Sequence, residues 1–336
     1  MKTGVPRMRL VFAALGLAVM ILDGKTALQG ASSAIEICLY TVLPTLFPFI
    51  FLSSFLTEAL LSLNFKGSHS ICKMFNIPQG SEAILLTGLI GGYPVGARCI
   101  GEAVSNGHLS STDGDRMVIF CNAAGPSFLF GIISNLFEHH WVPWILWGIH
   151  LLSCLSISRM ASTQPVSHFT SQSRIHQSTT EKLRKSVQIM GEICGWIILM
   201  RTFIAVINKW CLWILPKSIQ ILITGILELS NGCLSLAGIN NHGMRFVLCS
   251  VFLSFGGLCI ALQTQSAAPS IHLVHYISGK FLQAIISFLL SYVIQHFIFP
   301  NDHTVYFPWL CLSLTAVFTI IFVYRKRKSK IRVEIF

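Results

Sequence analysis

Charge is scarce in this sequence. Asp and Glu number 13 among 336 residues, and the four charged types together make up 11% of the chain, against about 25% in a soluble domain. That shortage, with the apolar content below, excludes a coiled coil, a charge-rich disordered chain and an ordinary soluble enzyme. No two of the 11 cysteines stand in a Cys-x-x-Cys pair. They read as small packing residues, neither a disulfide framework nor a zinc site. There is no Walker-type glycine loop, no RNP-like motif, no Ser/His/Asp order and no nucleophile elbow. The chain is therefore not expected to be an enzyme, to bind nucleic acid or to carry a cofactor. His139 and His140 sit in a short loop. His272 and His275 are three apart, but no third ligand stands near them in sequence, so no metal site is expected.

What the chain has is apolar length. Hydrophobic residues make up 53%, and the mean hydropathy is +0.67. They fall in runs at 10–22, 34–63, 82–104, 117–137, 142–158, 187–208, 218–238, 246–268, 276–299 and 306–324. A helix needs about 20 residues to cross a bilayer, so lipid is the expected surrounding and an all-α polytopic membrane protein the expected fold class. The net charge of +11 lies mostly in short segments flanking these runs, which is the footprint of membrane orientation. The first run is short and follows Lys2, Arg7 and Arg9; a retained helix is expected there rather than a cleaved signal.

Two runs are interrupted. Gly91-Gly92-Tyr93-Pro94-Val95-Gly96 breaks 82–104, and Glu228-Leu229-Ser230-Asn231-Gly232 breaks 218–238. Irregular backbone at membrane depth has to be buried in protein or line a cavity, so each run reads as a re-entrant hairpin. The cations favour this. If all ten runs cross, with the N-terminus inside, inside loops hold 14 Lys and Arg and outside loops 8, with Lys280 counted as an inside loop cation; if both interrupted runs re-enter, the counts become 18 and 4. About eight transmembrane helices plus two hairpins follow, with both termini cytoplasmic.

The chain also repeats. Ile84-Leu85-Leu86-Thr87-Gly88-Leu89-Ile90 parallels Ile221-Leu222-Ile223-Thr224-Gly225-Ile226-Leu227. Glu36-Ile37-Cys38 recurs as Glu192-Ile193-Cys194, and Phe120-Cys121-Asn122-Ala123-Ala124-Gly125 parallels Phe252-Leu253-Ser254-Phe255-Gly256-Gly257. In the hairpin topology the two repeats are inverted, the plan of a secondary transporter with its substrate near the midplane. The organisation read is an N-terminal transmembrane helix in 1–33, a first repeat in 34–160 and a cytoplasmic linker in 161–185. A second repeat occupies 186–299, and a last helix with a basic tail occupies 300–336.

Candidate site residues lie at the interruptions. In the first hairpin, glycines allow reversal and Pro94 starts a new half-helix. Free N–H groups at such a start face an anion, and Arg98 adds a fork suited to a carboxylate; a kink with Arg98 reaching to the surface is the alternative. Asn122 to Ser127 interrupt the next helix, and a simple proline kink is the alternative there. The substrate-binding candidates are Gly92, Tyr93, Pro94, Gly96, Arg98, Asn122, Gly125 and Ser127 in the first half, and Ser230, Asn231, Ser254, Gly256, Gly257 and Gln263 in the second. Glu228, and Asn122 through unwound carbonyls, are candidates for coupling to H+ or Na+; an Arg201–Glu228 ion pair is the other option for Glu228. Glu36 and Glu192 are expected at the membrane interface.

Gly92-Tyr93-Pro94-Val95-Gly96-Ala97-Arg98, followed by Phe120-Cys121-Asn122 and Gly125-Pro126, resembles the sporulation integral membrane protein family called YlbJ or SpoVV, grouped with the nucleoside-recognition "Gate" proteins. Leu43-Pro44-Thr45-Leu46-Phe47-Pro48-Phe49, Glu228-Leu229-Ser230-Asn231-Gly232 and Ser254-Phe255-Gly256-Gly257-Leu258 fit it too, so the likeness covers about residues 34–298. It implies a plan like that of concentrative nucleoside transporters and a role in moving dipicolinic acid from the mother cell across the outer forespore membrane. Arg98 and a stacking Tyr93 would suit that aromatic dicarboxylate. Where the family leads one to expect His-Ala-Gln, this chain has Ala261-Leu262-Gln263. A nucleoside-type solute, or a structural role in spore assembly without cargo, remain the alternatives, and a homo-oligomer is an open option.

Overall fold

The computed structural model describes residues 20–62, 68–161 and 178–300, with positions 10, 14 and 16–18 ahead of them. The run 306–324, the basic tail and positions 11–13, 15 and 19 of the run 10–22 lie outside the described residues, as does 162–177 of the linker. Among the described residues every regular element is helical, with no strand.

The first helix described in full is α1 (Gly24–Ile37), which runs through a π turn (Cys38–Val42) into α2 (Leu43–Ser62) as one long rod. Pro44 and Pro48 remove backbone donors from it, and the ladder widens to the π turn just ahead of Pro44. There Thr45 Oγ1 donates to the carbonyls of Thr41 at 2.6 Å and Val42 at 3.2 Å, which keeps polar backbone satisfied away from water. After α3 (Ser68–Phe75) come the paired short helices α4 (Glu82–Gly91) and α5 (Val95–Ser105). Then α6 (Ser111–Cys121) breaks at Asn122–Gly125 and resumes as α7 (Pro126–Gly131), and α8 (Val142–Met160) closes the first half.

The same order recurs. The long α9 (Thr179–Trp210) leads to the short pair α10 (Lys217–Leu227) and α11 (Leu229–Ser235). Next, α12 (His242–Phe255) breaks at Gly256 and continues as α13 (Gly257–Ala267), and α14 (Leu273–Ile298) closes. Among the described residues four stretches are long and apolar enough to cross a membrane: Gly24–Leu56, Thr179–Trp210, His242–Ala267 and Leu273–Ile298.

Two boundaries and the placement of one cation differ from the sequence reading. Helix α6 starts at Ser111, ahead of the apolar run, because Ser110 Oγ caps it by accepting the Asp113 N–H. Helix α9 starts at Thr179, within the stretch read as linker, because Ser178 caps it in the same way through Glu181. Lys280 is a correction: it is not a loop cation but lies inside α14 at 1% exposure. A single Lys near the start of an apolar run reads as its flank, and only the partners across the bundle show otherwise.

Glycine lets backbones meet where side chains would not fit. Gly30 on α1 packs against Ala205 and the Thr202 backbone of α9. A Cβ on Gly88 or Gly96 would fall 2.1 or 2.3 Å from the Cys121 carbonyl oxygen, so the first hairpin is pressed against the broken end of α6. In the second half, a Cβ on Gly225 would fall 2.3 Å from the Phe252 ring of α12.

Polar contacts tie the bundle at both ends. Towards one end Lys182 pairs with Glu58, Arg116 donates to the Asn76 carbonyl, and Asp115 meets His272. Towards the other, Lys209 pairs with Asp23 at 2.7 Å, and Arg245 Nη1 donates to the Leu136 carbonyl at 2.7 Å.

Candidate functional site

The four helix breaks converge on one cavity of about 40 Å³. Gly91, Gly92 and Tyr93 come from the first hairpin, Gly125, Ser127 and Phe128 from the first broken helix. Glu228, Leu229 and Ser230 come from the second hairpin, and Ile260 and Gln263 from the second broken helix. Val42 and Leu46, with Ile193 and Ile197 of α9, close an apolar wall. The volume admits about three waters.

Glu228 is 2% exposed. Its two carboxylate oxygens accept the N–H groups of Ser230 at 2.9 Å and Asn231 at 2.6 Å, so it caps α11 and meets the positive end of that helix. Among the described residues no ion pair joins Arg201 to Glu228 within 4 Å, and Arg201 acts on it only at longer range; the hydrogen bonds to Glu228 come from the backbone of α11. Gln263 Oε1 is buried with no hydrogen-bond partner among the described residues, while Gln263 Nε2 reaches Cys259 Sγ at 3.4 Å.

Behind Tyr93 lies a second polar layer. The Tyr93 hydroxyl donates to the Leu253 carbonyl at 3.2 Å and accepts from Lys280 Nζ at 3.2 Å. Lys280 also donates to Gln283 Oε1 at 3.0 Å and lies over the rings of Tyr93 and Tyr276. Among the described residues no carboxylate pairs with it. Gln283 Nε2 passes the chain on to Ser153 Oγ at 3.1 Å. Nearby, His150 Nε2 accepts the Ala124 N–H at 3.0 Å, which leaves Nδ1 as donor to Ser254 Oγ at 3.1 Å.

The chain is similar to the sporulation integral membrane protein YlbJ of Bacillus subtilis (strain 168), 23% identical over 144 residues, 42% of this chain and 35% of that protein. No family model matches. No solved structure matches. Apolar helices and this likeness make the chain an integral membrane protein. It spans about a third of the length of the relative it matches.

Of the sequence candidates, Gly92, Tyr93, Gly125, Ser127, Glu228, Ser230 and Gln263 line the cavity. The others do not. Arg98 turns to Glu192, with Nη2 2.7 Å from Oε2. Asn122 is used by the protein itself: Nδ2 donates to Thr264 Oγ1 at 2.8 Å and Tyr276 OH at 3.3 Å, and Oδ1 accepts the Ala97 N–H at 3.2 Å. That last bond, with Val95 N–H on the Gly92 carbonyl at 2.9 Å, corrects the expectation of free N–H groups at the start of α5. Pro94 precedes that helix and Gly96 packs on Cys121. Asn231 serves through its N–H, and Ser254 faces His150. Gly256 and Gly257, both at positive φ, let the break in α12–α13 approach Tyr93 and the Gly225 carbonyl. Sequence reasoning missed Lys280, Gln283 and His150. Each is a lone polar residue in an apolar run, and only their convergence marks them.

Proposed function

We propose that the chain is a carrier for a small organic anion, built as two inverted repeats around the cavity between the four helix breaks. The observation that carries this is Lys280: a buried cation held, among the described residues, by neutral groups alone, one of which is the cavity residue Tyr93. A buried cation without an acid is costly, and an anionic cargo would supply the missing charge. At about 40 Å³ the cavity is closed to any organic anion. Transport then requires the two halves to part, and Tyr93 to swing from Lys280 as cargo enters.

Three contacts support the hairpin topology. If all ten runs crossed, Asp115 and His272 would lie on opposite faces, as would Asp23 and Lys209, and Leu136 and Arg245. Each pair is in contact. With two hairpins every pair falls on one face. Cys38 and Cys194, equivalent in the repeat, also meet, with Sγ of the first 4.0 Å from the carbonyl of the second, as expected near a pseudo-two-fold axis.

On the resemblance, and on the sporulation name of the relative, we take dipicolinic acid as the cargo, moved into the forespore across its outer membrane. Glu228, held ready at the cavity wall, is the candidate for H+ or Na+ coupling. A neutral nucleoside-type solute is the second reading, favoured by the ring of Ser127, Glu228, Ser230 and Gln263 that faces the cavity ahead of Lys280. Thermal shift of the purified protein separates them. Dipicolinate stabilises the wild type and not Lys280→Met in the first reading; uridine stabilises both in the second.

A further inference from the structure

The fold supplies the third ligand that the sequence withholds from His272 and His275. Asp115, in the first turns of α6, lies against the start of α14. Its Oδ1 accepts the His272 backbone N–H at 2.8 Å, and its Oδ2 lies 2.6 Å from Nδ1 of the same residue. His275, one turn on, places its ring 5.5 Å from that of His272. One ligand atom from each of the three residues lies within 4.8 Å of the other two.

We propose that Asp115, His272 and His275 form a binding site for a divalent transition metal of the zinc class, at one face of the bundle. Two imidazoles and a carboxylate are a donor set that zinc accepts, with water completing four-coordination. Donors around a tetrahedral zinc, with bonds of about 2.0–2.1 Å, stand about 3.3 Å apart. Both histidines are exposed, His272 at 70%, so their rings have room to close from 4.8 Å to that spacing. The Asp115–His272 pair has to open slightly from 2.6 Å as the metal displaces the proton they share. Asp115 Oδ1 stays pinned by the His272 N–H throughout. Such outer bonds orient a ligand before the metal arrives. Exposure of both rings also leaves the ion a path from water.

Helix capping accounts for Asp115 on His272 alone. It does not use His275, which separates the two explanations. The site joins α6 of the first half to α14 of the second, 157 residues apart, so a bound metal would clamp the halves at this face. The proposal stands apart from the identity of any cargo.

Untagged full-length protein in detergent, stripped with chelator, tests it by titration with Zn2+ and with Co2+. The expected result is one tight equivalent, a Co2+ spectrum without a thiolate charge-transfer band, and a Tm raised by zinc. His275→Ala and His275→Gln should each weaken binding about tenfold or more and abolish the zinc shift. The metal-free Tm of both should stay at the wild-type value, since His275 makes no part of the cap. Asp115→Asn should weaken binding and also lower the metal-free Tm. Absence of saturable binding in the wild type, unchanged binding in the His275 variants, or a thiolate band would each overturn the proposal.

Discussion

Arg98 Nη2 lies 2.7 Å from Glu192 Oε2 and so joins the first hairpin to the long helix that opens the second half. The pair is 20% and 33% exposed. Such a bridge contributes no more than about 1 kcal/mol. Arg98→Ala and Glu192→Ala should each lower Tm slightly, and the double variant should cost little more than either. A double-mutant cycle by thermal unfolding measures this. Strict additivity would mean the pair is not formed.

The matched glycines make a sharper test of packing. Gly88→Ala and Gly225→Ala each place a methyl against an immovable neighbour, the Cys121 carbonyl or the Phe252 ring. Each should cost about 1–3 kcal/mol and reduce the folded yield. Among the described residues a Cβ on Gly148 or Gly191 would meet nothing within 4 Å, and alanine there should be neutral or stabilising by about 0.5–1 kcal/mol. Fluorescence-detected size exclusion of the four variants gives the comparison.

Glu228 should behave as a cap first. Glu228→Ala leaves two N–H groups of α11 without their acceptor and should cost about 1 kcal/mol or more, with Glu228→Gln intermediate. If Glu228 also couples transport to an ion, flux through Glu228→Gln should lose its dependence on the pH or sodium gradient while persisting downhill.

Lys209 and the Trp210 indole hold the Asp23 carboxyl well below the usual carboxylate range. A depressed folded pKa stabilises above the unfolded value and fades as pH falls through the folded one. Asp23→Asn should therefore lower Tm at pH 7, and the gap to wild type should narrow below about pH 4. Thermal unfolding across that range reads it directly.

The two interrupted runs and their order could be read in the sequence, because Gly91-Gly92-Tyr93-Pro94 and Glu228-Leu229-Ser230-Asn231-Gly232 break long apolar stretches. Four candidates from those breaks, Gly92, Tyr93, Glu228 and Ser230, meet at the cavity with Gly125, Ser127 and Gln263 from the two broken helices. What could not be read were pairings across the chain. Arg98 stood out as a charge in an apolar run, but its partner Glu192 is 94 residues on and looked interfacial. Lys280 looked like a flank. Asp115 and the His pair belong to separate halves. Local pattern reports where a helix stops; it carries no information on which stops face one another.

The proposed inverted repeat predicts a contact as well. Cys38 opens the π turn that continues α1, and Cys194 lies on the antiparallel α9. Copper-phenanthroline oxidation should link them within one chain, detectable by peptide mass spectrometry, and the link should arrest transport by fixing the two halves.

Uptake of labelled dipicolinate into proteoliposomes tests the central claim most directly. The account predicts saturable flux through the wild-type protein, and flux near that of empty vesicles through Lys280→Met recovered folded in the membrane. Wild-type protein that moves no dipicolinate, or a Lys280→Met variant that moves it at full rate, would contradict it.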